Sequence, residues 1–138
     1  MTEIVDITNA GELDAFVEQH PRCHFMQTSL YGRFRTDRTW NGIVCRDRSR
    51  RIRGTMALLR YTTRHLHTCI LYAPRGPIFD EGDLATFQEL IAAARQFAEQ
   101  CGAYLLRIDP MIEATDEEFL QCTQQLGFRR KDAIDYSM

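Results

Sequence analysis

Between residues 84 and 101 apolar side chains recur every three or four positions: Leu84, Phe87, Leu90, Ile91, Ala94, Ala98 and Cys101. That period predicts an amphipathic helix, about 27 Å long at ~1.5 Å per residue. Asp83 stands at the start as a cap and Gly102 at the end as a stop. A second helical period, Leu13, Phe16, Val17 and His20, follows Asn9 and ends at Pro21, with Asn9 and Glu12 spaced as a capping box. A third, Phe119, Cys122 and Leu126, follows Thr115 and Glu118 and ends at Gly127. A short helix is predicted from Thr28 or Ser29, within "FMQTSLYGRFRTD".

Elsewhere the pattern shortens toward two, or runs apolar for several residues. It predicts strands over "EIVDI", "WNGIVCRD", "IRGTMALLRYTTR", "HTCILYA" and "AYLLRID", and a last extended stretch from Phe128. The order is β, α, α, β, β, β, α, β, α, β. Three consecutive strands predict an antiparallel meander, and the βαβ units after them predict a locally parallel pair with right-handed crossovers. The fold class is α/β, a mixed sheet with helices on both faces. This order matches the Gcn5-related N-acyltransferase (GNAT) fold.

Composition adds limits. The 138 residues suffice for one domain with a core, and 44% hydrophobic with 26% charged is ordinary for a globular chain. Five cysteines without a C-x-x-C predict reduced, mostly buried thiols. No run reaches transmembrane length and the first twenty residues are acidic, so a cytoplasmic location is expected. The net charge of −2 hides an uneven spread: residues 22–75 hold twelve arginines against Asp37 and Asp47. Such a basic middle suits an anionic partner, or else neutralises the acidic ends within the fold.

The loop "YAPRGPIFDEGD" joins a strand to the long helix. In GNAT enzymes the equivalent loop binds coenzyme A pyrophosphate through free backbone N–H groups. Pro74 and Pro77 have no N–H, and Asp80, Glu81 and Asp83 place negative charge there. An acetyl-CoA site is therefore disfavoured. His20, Cys23 and His24, or His65, His67 and Cys69, lack the spacing of a common zinc site, and no metal is expected. Tyr72, Tyr104 and Trp40 suit core or rim positions as well as ligand stacking. Asp109, at a strand end before Pro110, suits a turn cap or a site carboxylate.

Three stretches, "FMQTSLYGRFR", "YAPRGPIFD" and "YLLRIDP", resemble segments of the FemABX family of peptidoglycan interpeptide-bridge aminoacyltransferases, the Pro-Arg-Gly-Pro element most specifically. The resemblance implies transfer of an amino acid from aminoacyl-tRNA to the stem peptide of a cell-wall precursor, either a UDP-MurNAc-peptide or its lipid-linked form. It implies no metal and no coenzyme, and allows peripheral membrane contact. Arg35 stands where the family has a lysine on the precursor's diphosphate, Tyr104 where a tyrosine lines the same cleft, and Asp109 where a carboxylate lies near the acceptor. Arg75 and Tyr72 belong to the signature loop. Arg75 either contacts the precursor or holds the loop by bonding carbonyls.

Family members carry two GNAT-like domains. The expectation is that residues 1–138 form one such domain, the truncated first half of a two-domain protein whose other half, or a partner chain, is needed for transfer. Phe128, Ile134 and Tyr136 would then be left uncovered. Catalytic residues other than the candidate Asp109 are not assigned. The alternatives are a stand-alone N-acyltransferase using acyl-CoA and a non-catalytic precursor-binding module.

Overall fold

The computed structural model describes residues 1–63, 68–112, 115–130 and 136–137. The chain runs through β1 (Thr2–Asp6), α1 (Gly11–Gln19), a 3-10 turn (Phe25–Gln27), α2 (Ser29–Phe34), β2 (Thr39–Arg46), β3 (Ile52–Thr63) and β4 (Thr68–Ala73). It continues through β5 (Ile78–Phe79), α3 (Leu84–Cys101), β6 (Ala103–Ile108), α4 (Glu117–Gln125), β7 (Arg129–Arg130) and β8 (Tyr136–Ser137). The strands form one sheet in the order β1-β2-β3-β4-β6-β8-β7, with β5 paired to β3. The β4–β6 pair is parallel and the other pairs are antiparallel. The expected α/β mixed sheet with helices on both faces is what forms.

Strand alternation sends successive side chains to opposite faces, and each face builds its own core. Ile43, Met56, Leu58, Leu71, Leu106 and Ile108 meet Phe87, Leu90 and Ile91 of α3 and Phe119 of α4. Phe79, Phe87 and Phe119 pack with ring centroids 4.9–6.2 Å apart. On the other face Val5, Trp40, Val44, Ala57 and Leu59 meet Leu13 and Val17 of α1. Gly32 of α2 lies so close to Trp40 that an added Cβ would fall 2.5 Å from the indole. A small residue there lets this short helix dock.

Several helix ends differ from expectation. Asn9 does not cap α1. Its Oδ1 accepts from Asp6 N at 2.8 Å, closing a turn, and Ala10 takes the N-cap position without a side-chain bond. The α4 cap is Asp116, one residue later than Thr115, accepting from Phe119 N. Asp14, on α1, reaches across to the first turn of α2 and accepts from both the N–H and the hydroxyl of Ser29. This tertiary cap has no local sequence signature. Asp83 and Gly102 act at α3 as expected, Gly102 with φ of 69°.

Phe128 is 5% exposed and lies in the α3-side core, against the expectation that it is uncovered. Ile134 and the Tyr136 side chain lie outside the described residues, as do His65 and His67. Cys45, Cys69 and Cys122 are buried, Cys101 is half-buried and Cys23 is exposed. Burial and the carboxylate of Glu89, which accepts from the Cys45 thiol, push that thiol up to about 12. Among the described residues no helix is long and apolar enough to cross a membrane.

Candidate functional site

β4 and β5 are one strand interrupted. Both pair with β3 and run the same way, Tyr72 opposite Leu59 and Ile78 opposite Thr55. Six steps of chain cover four on the partner, so Ala73–Pro77 bulges out of the ladder. The gap falls at Ala57, and the side chain of Gln27 fills it. Its Nε2 donates to Ala57 O at 3.1 Å and to Pro74 O at 2.8 Å, and its Oε1 accepts from Ala57 N at 2.9 Å. Gln27 is fully buried, and its carboxamide takes the place of a strand peptide. Gly76 passes directly over it; a Cβ there would lie 2.2 Å from Gln27 Cδ. The Gly76–Pro77 peptide bond is cis. The sequence predicts a stiff loop, but neither β5 nor the role of Gln27.

Fixed in this way, the loop turns Arg75 into the left-handed region, φ 60°, a conformation uncommon outside glycine. Its Nε stands 4.0 Å from Asp109 Oδ2. The Asp109 carboxylate side is 9% exposed and the arginine 42%. Asp109 N donates to Gly76 O at 3.1 Å, tying the end of β6 to the bulge. His24 belongs to the same group. Burial, then the Arg75 charge, lower its basicity, and Asp109 partly offsets this. Its Nδ1 accepts from Met26 N at 3.1 Å, which fixes the neutral ring with its proton on Nε2.

Cross-strand partners share a face, so Tyr72 lies on the side of Leu59 and Tyr61, with Arg107 beside it in register. Among the described residues the helices on this face, α1 and α2, pack over β1–β3, and none packs over the β4–β6 half. The Arg38 guanidinium sits 4.0 Å from the Tyr61 ring centre, and that of Arg107 5.4 Å from Tyr72. The two tyrosine rings are 6.4 Å apart. A pair of tyrosine rings flanked by two cations, Arg38 and Arg107, thus leads toward Asp109. Arg35, the C-cap residue of α2, stands at the other end. Tyr31 first, then Asp37 and more weakly Tyr61, hold its guanidinium more firmly protonated. Its Nε is 3.5 Å from Asp37.

Of the residues singled out from sequence, Arg75 and Asp109 come together, Tyr72 lies beside Arg107, two residues before Asp109, and Arg35 feels the Tyr61 ring that neighbours Tyr72. Tyr104 does not join them. It is the extra residue of a β-bulge at the start of β6, where Cys69 pairs with Ala103 and Ile70 with Leu105. It is 57% exposed and five residues from Asp109, about 16 Å along an extended strand. Gln27, Arg38, Tyr61 and Arg107 were not foreseen as site residues, and His24 was weighed only as a metal ligand; for Tyr61 and Arg107 the signal was strand alternation.

At the start of α3, Leu84 N donates to Gly82 O at 2.9 Å and Thr86 N to the Asp83 carboxylate at 3.2 Å. Two of the N–H donors that a pyrophosphate could use at this helix start are therefore engaged within the loop. His20 and His24 each use Nδ1 to accept a backbone N–H, and no group of three metal-ligating side chains occurs among the described residues.

Solved structures with low identity share this architecture. A probable acetyltransferase superimposes with a TM-score of 0.68 at 13% identity, over 96% of this chain and 91% of its own. A probable acetyltransferase from Staphylococcus epidermidis ATCC 12228 gives 0.62 at 16% identity, over 99% of this chain and 96% of its own. The fold is the GNAT fold. A FemX crystal structure superimposes with a TM-score of 0.82 at 29% identity, over 94% of this chain and 33% of that one. The Lipid II:glycine glycyltransferase of Staphylococcus aureus strain bovine RF122 / ET3-1 is 29% identical over 131 residues, 94% of this chain and 31% of the relative. The chain therefore spans about a third of the length of the curated relatives it matches. The FemAB family model matches residues 8–134, and the chain belongs to the FemAB family.

Proposed function

We propose that this chain is the precursor-binding part of a Fem-type aminoacyltransferase, acting in the cytoplasm with aminoacyl-tRNA as donor and a peptidoglycan precursor as acceptor. The observation that carries the reading is the Arg75–Asp109 pair, held by the Gln27-braced bulge at the end of the half-face that no described helix covers. Its support is the family and the similarity to a Lipid II glycyltransferase.

In this reading the cations engage the precursor's diphosphate and carboxylates, Arg35 by a planar fork where a lysine would supply only a point charge. Tyr72 gives a flat apolar surface beside them. Asp109 accepts a hydrogen bond from an amine of the stem peptide and orients it, with Arg75 holding the carboxylate in place. Tyr104 is retained as a contact for a more distant part of the precursor. The unit works with the remainder of a longer protein or with a partner chain.

The test is calorimetric titration with UDP-MurNAc-pentapeptide at low salt. Binding is expected, with a loss of roughly tenfold or more in Arg35→Ala and Arg75→Ala, the size of a charge-assisted phosphate contact. Unchanged affinity in both variants would overturn the assignment. Micromolar binding of acetyl-CoA would instead favour an acyl-CoA-dependent acetyltransferase, whose fold this is.

A further inference from the structure

Arg60, Cys69 and Cys101 converge on the α3 side of the sheet. Met56 and Leu58 of β3 and Leu71 of β4 lie in the core under α3, and strand alternation puts Arg60 and Cys69 on that same face. Cys101 is the last residue of α3. Arg60 Nη1 donates to Cys101 Sγ at 3.4 Å, and Cys69 Sγ donates to Cys101 O at 3.5 Å. Cys69 is 4% exposed, while Cys101 and Arg60 are half-buried. One sulfur is thus partly open to solvent and held by a cation, and the other is enclosed beside it.

Register makes the two cysteines neighbours. Cys69 pairs with Ala103 at the start of the parallel β4–β6 ladder, and Cys101 precedes Ala103 by two residues. Gly102 between them, with φ of 69°, turns the chain from α3 into β6. Paired strands run about 4.8 Å apart, and a disulfide joins Cα atoms about 4.4–6.8 Å apart. A sulfur that already touches the Cys101 carbonyl lies within a side chain's length of the sulfur on the same residue. The other buried thiols have different partners: Cys45 donates to the Glu89 carboxylate, and Cys122 accepts from Gln88 Nε2.

We infer that Cys101 and Cys69 form a thiol pair oxidised by hydrogen peroxide, Cys101 attacking and Cys69 resolving. The Cys101 sulfur loses its proton and attacks one peroxide oxygen. The S–O bond forms, the O–O bond breaks, and the departing hydroxide takes up the proton as water. Cys101 is oxidised to the sulfenic acid and the peroxide is reduced. The Cys69 sulfur then attacks the Cys101 sulfur, its proton leaves with the hydroxyl as water, and the S–S bond closes. Arg60 stands beside the negative charge as it moves from sulfur to oxygen. Burial first, then Cys101, raise the Cys69 thiol, and Arg60 partly offsets this, which suits Cys69 to the second step rather than the first. The closed bridge ties the end of α3 to the start of β4 and pins the base of the Tyr104 bulge. The pair lies at the other end of β4 from Arg75 and acts independently of precursor binding.

The experiment treats the reduced full chain with hydrogen peroxide, blocks the remaining thiols with N-ethylmaleimide and maps the peptides by mass spectrometry. The expected product is a chain lighter by a pair of hydrogens, with Cys69 linked to Cys101, and restored by dithiothreitol. In C69S the Cys101 sulfenic acid should persist and be captured by dimedone, faster than at the exposed Cys23. R60Q is expected to slow bridge formation roughly tenfold or more, with R60K restoring most of the rate. The linked peptide is read on the wild-type chain, so the result stands even where a variant folds poorly. Absence of a Cys69–Cys101 peptide, dimedone capture at Cys23 ahead of Cys101, or an R60Q rate equal to wild type would each overturn the inference.

Discussion

Gln27 makes three hydrogen bonds to main chain at full burial, and an alanine there leaves Ala57 N–H, Ala57 C=O and Pro74 C=O without that partner. Each buried orphan costs about 1–3 kcal/mol, so Gln27→Ala is expected to lower stability by about 2–4 kcal/mol, read as a reduced urea midpoint. Gly76→Ala attacks the same joint from above by overpacking and is expected to cost about 1–3 kcal/mol. Because the two residues touch, their effects should not add. His24 gives a pH-dependent counterpart. Its folded basicity is below the ordinary histidine value of 6.5, so the unfolded chain takes up the proton first as pH falls. The stability this confers is complete above that value and declines below it until the folded ring also protonates. In His24→Asn, whose Oδ1 can still accept from Met26 N, the drop in unfolding free energy from pH 7.5 to 5.5 should be smaller than in wild type. An equal drop would show that His24 does not couple to Arg75 and burial as described.

At the scale of elements, α3 depends on both its ends. Asp83→Ala removes a carboxylate that accepts from Thr86 N and from its hydroxyl, and is expected to cost about 1 kcal/mol. Gly102→Ala forces a Cβ into φ of 69° and should cost about the same. Thermal unfolding of both single variants and the double variant checks this; the ends are far apart, so the losses should add. This helix was legible in the sequence because its period, its cap and its stop are all local. The β2–β3–β4 meander was legible for the same reason. What was not legible depends on contacts across the chain. Asn9 and Thr115 looked like caps, but Asn9 was taken by the Asp6 turn and Asp116 capped α4 instead. Asp14 caps α2 from another helix. β5 is two residues long and exists because Thr55 and Gly54 offer it an open edge. Within the site, the signature loop and Asp109 could be named from the sequence. Their meeting required the β4–β6 register, and Gln27 carries no pattern that marks it as a strand substitute.

The described residues form one sheet with a half-face that none of their helices covers, and the chain matches about a third of the length of its Lipid II glycyltransferase relatives. Transfer needs the donor held against the acceptor, and positioning both is worth roughly 7–11 kcal/mol of the barrier. The expected outcome is that the 138-residue chain binds UDP-MurNAc-pentapeptide without turning it over when supplied with charged tRNA. Mass detection of the lengthened peptide is the readout. Multiple turnovers would place the whole catalytic apparatus within this span.

The carboxamide of Gln27 also makes one backbone amide unusual. Neighbouring amides of β3 are held by other strands, whereas Ala57 N–H is held by a side chain from the turn before α2. Its exchange with deuterated solvent therefore reports the opening of that turn rather than the melting of the sheet. A ligand bridging Arg35 and Arg75 would hold the turn and the bulge together. The Ala57 amide should then exchange more slowly while the amides of Ile43 and Leu71, deep in the same sheet, keep their rates. A single residue in the middle of the sheet would thus register occupancy at its rim.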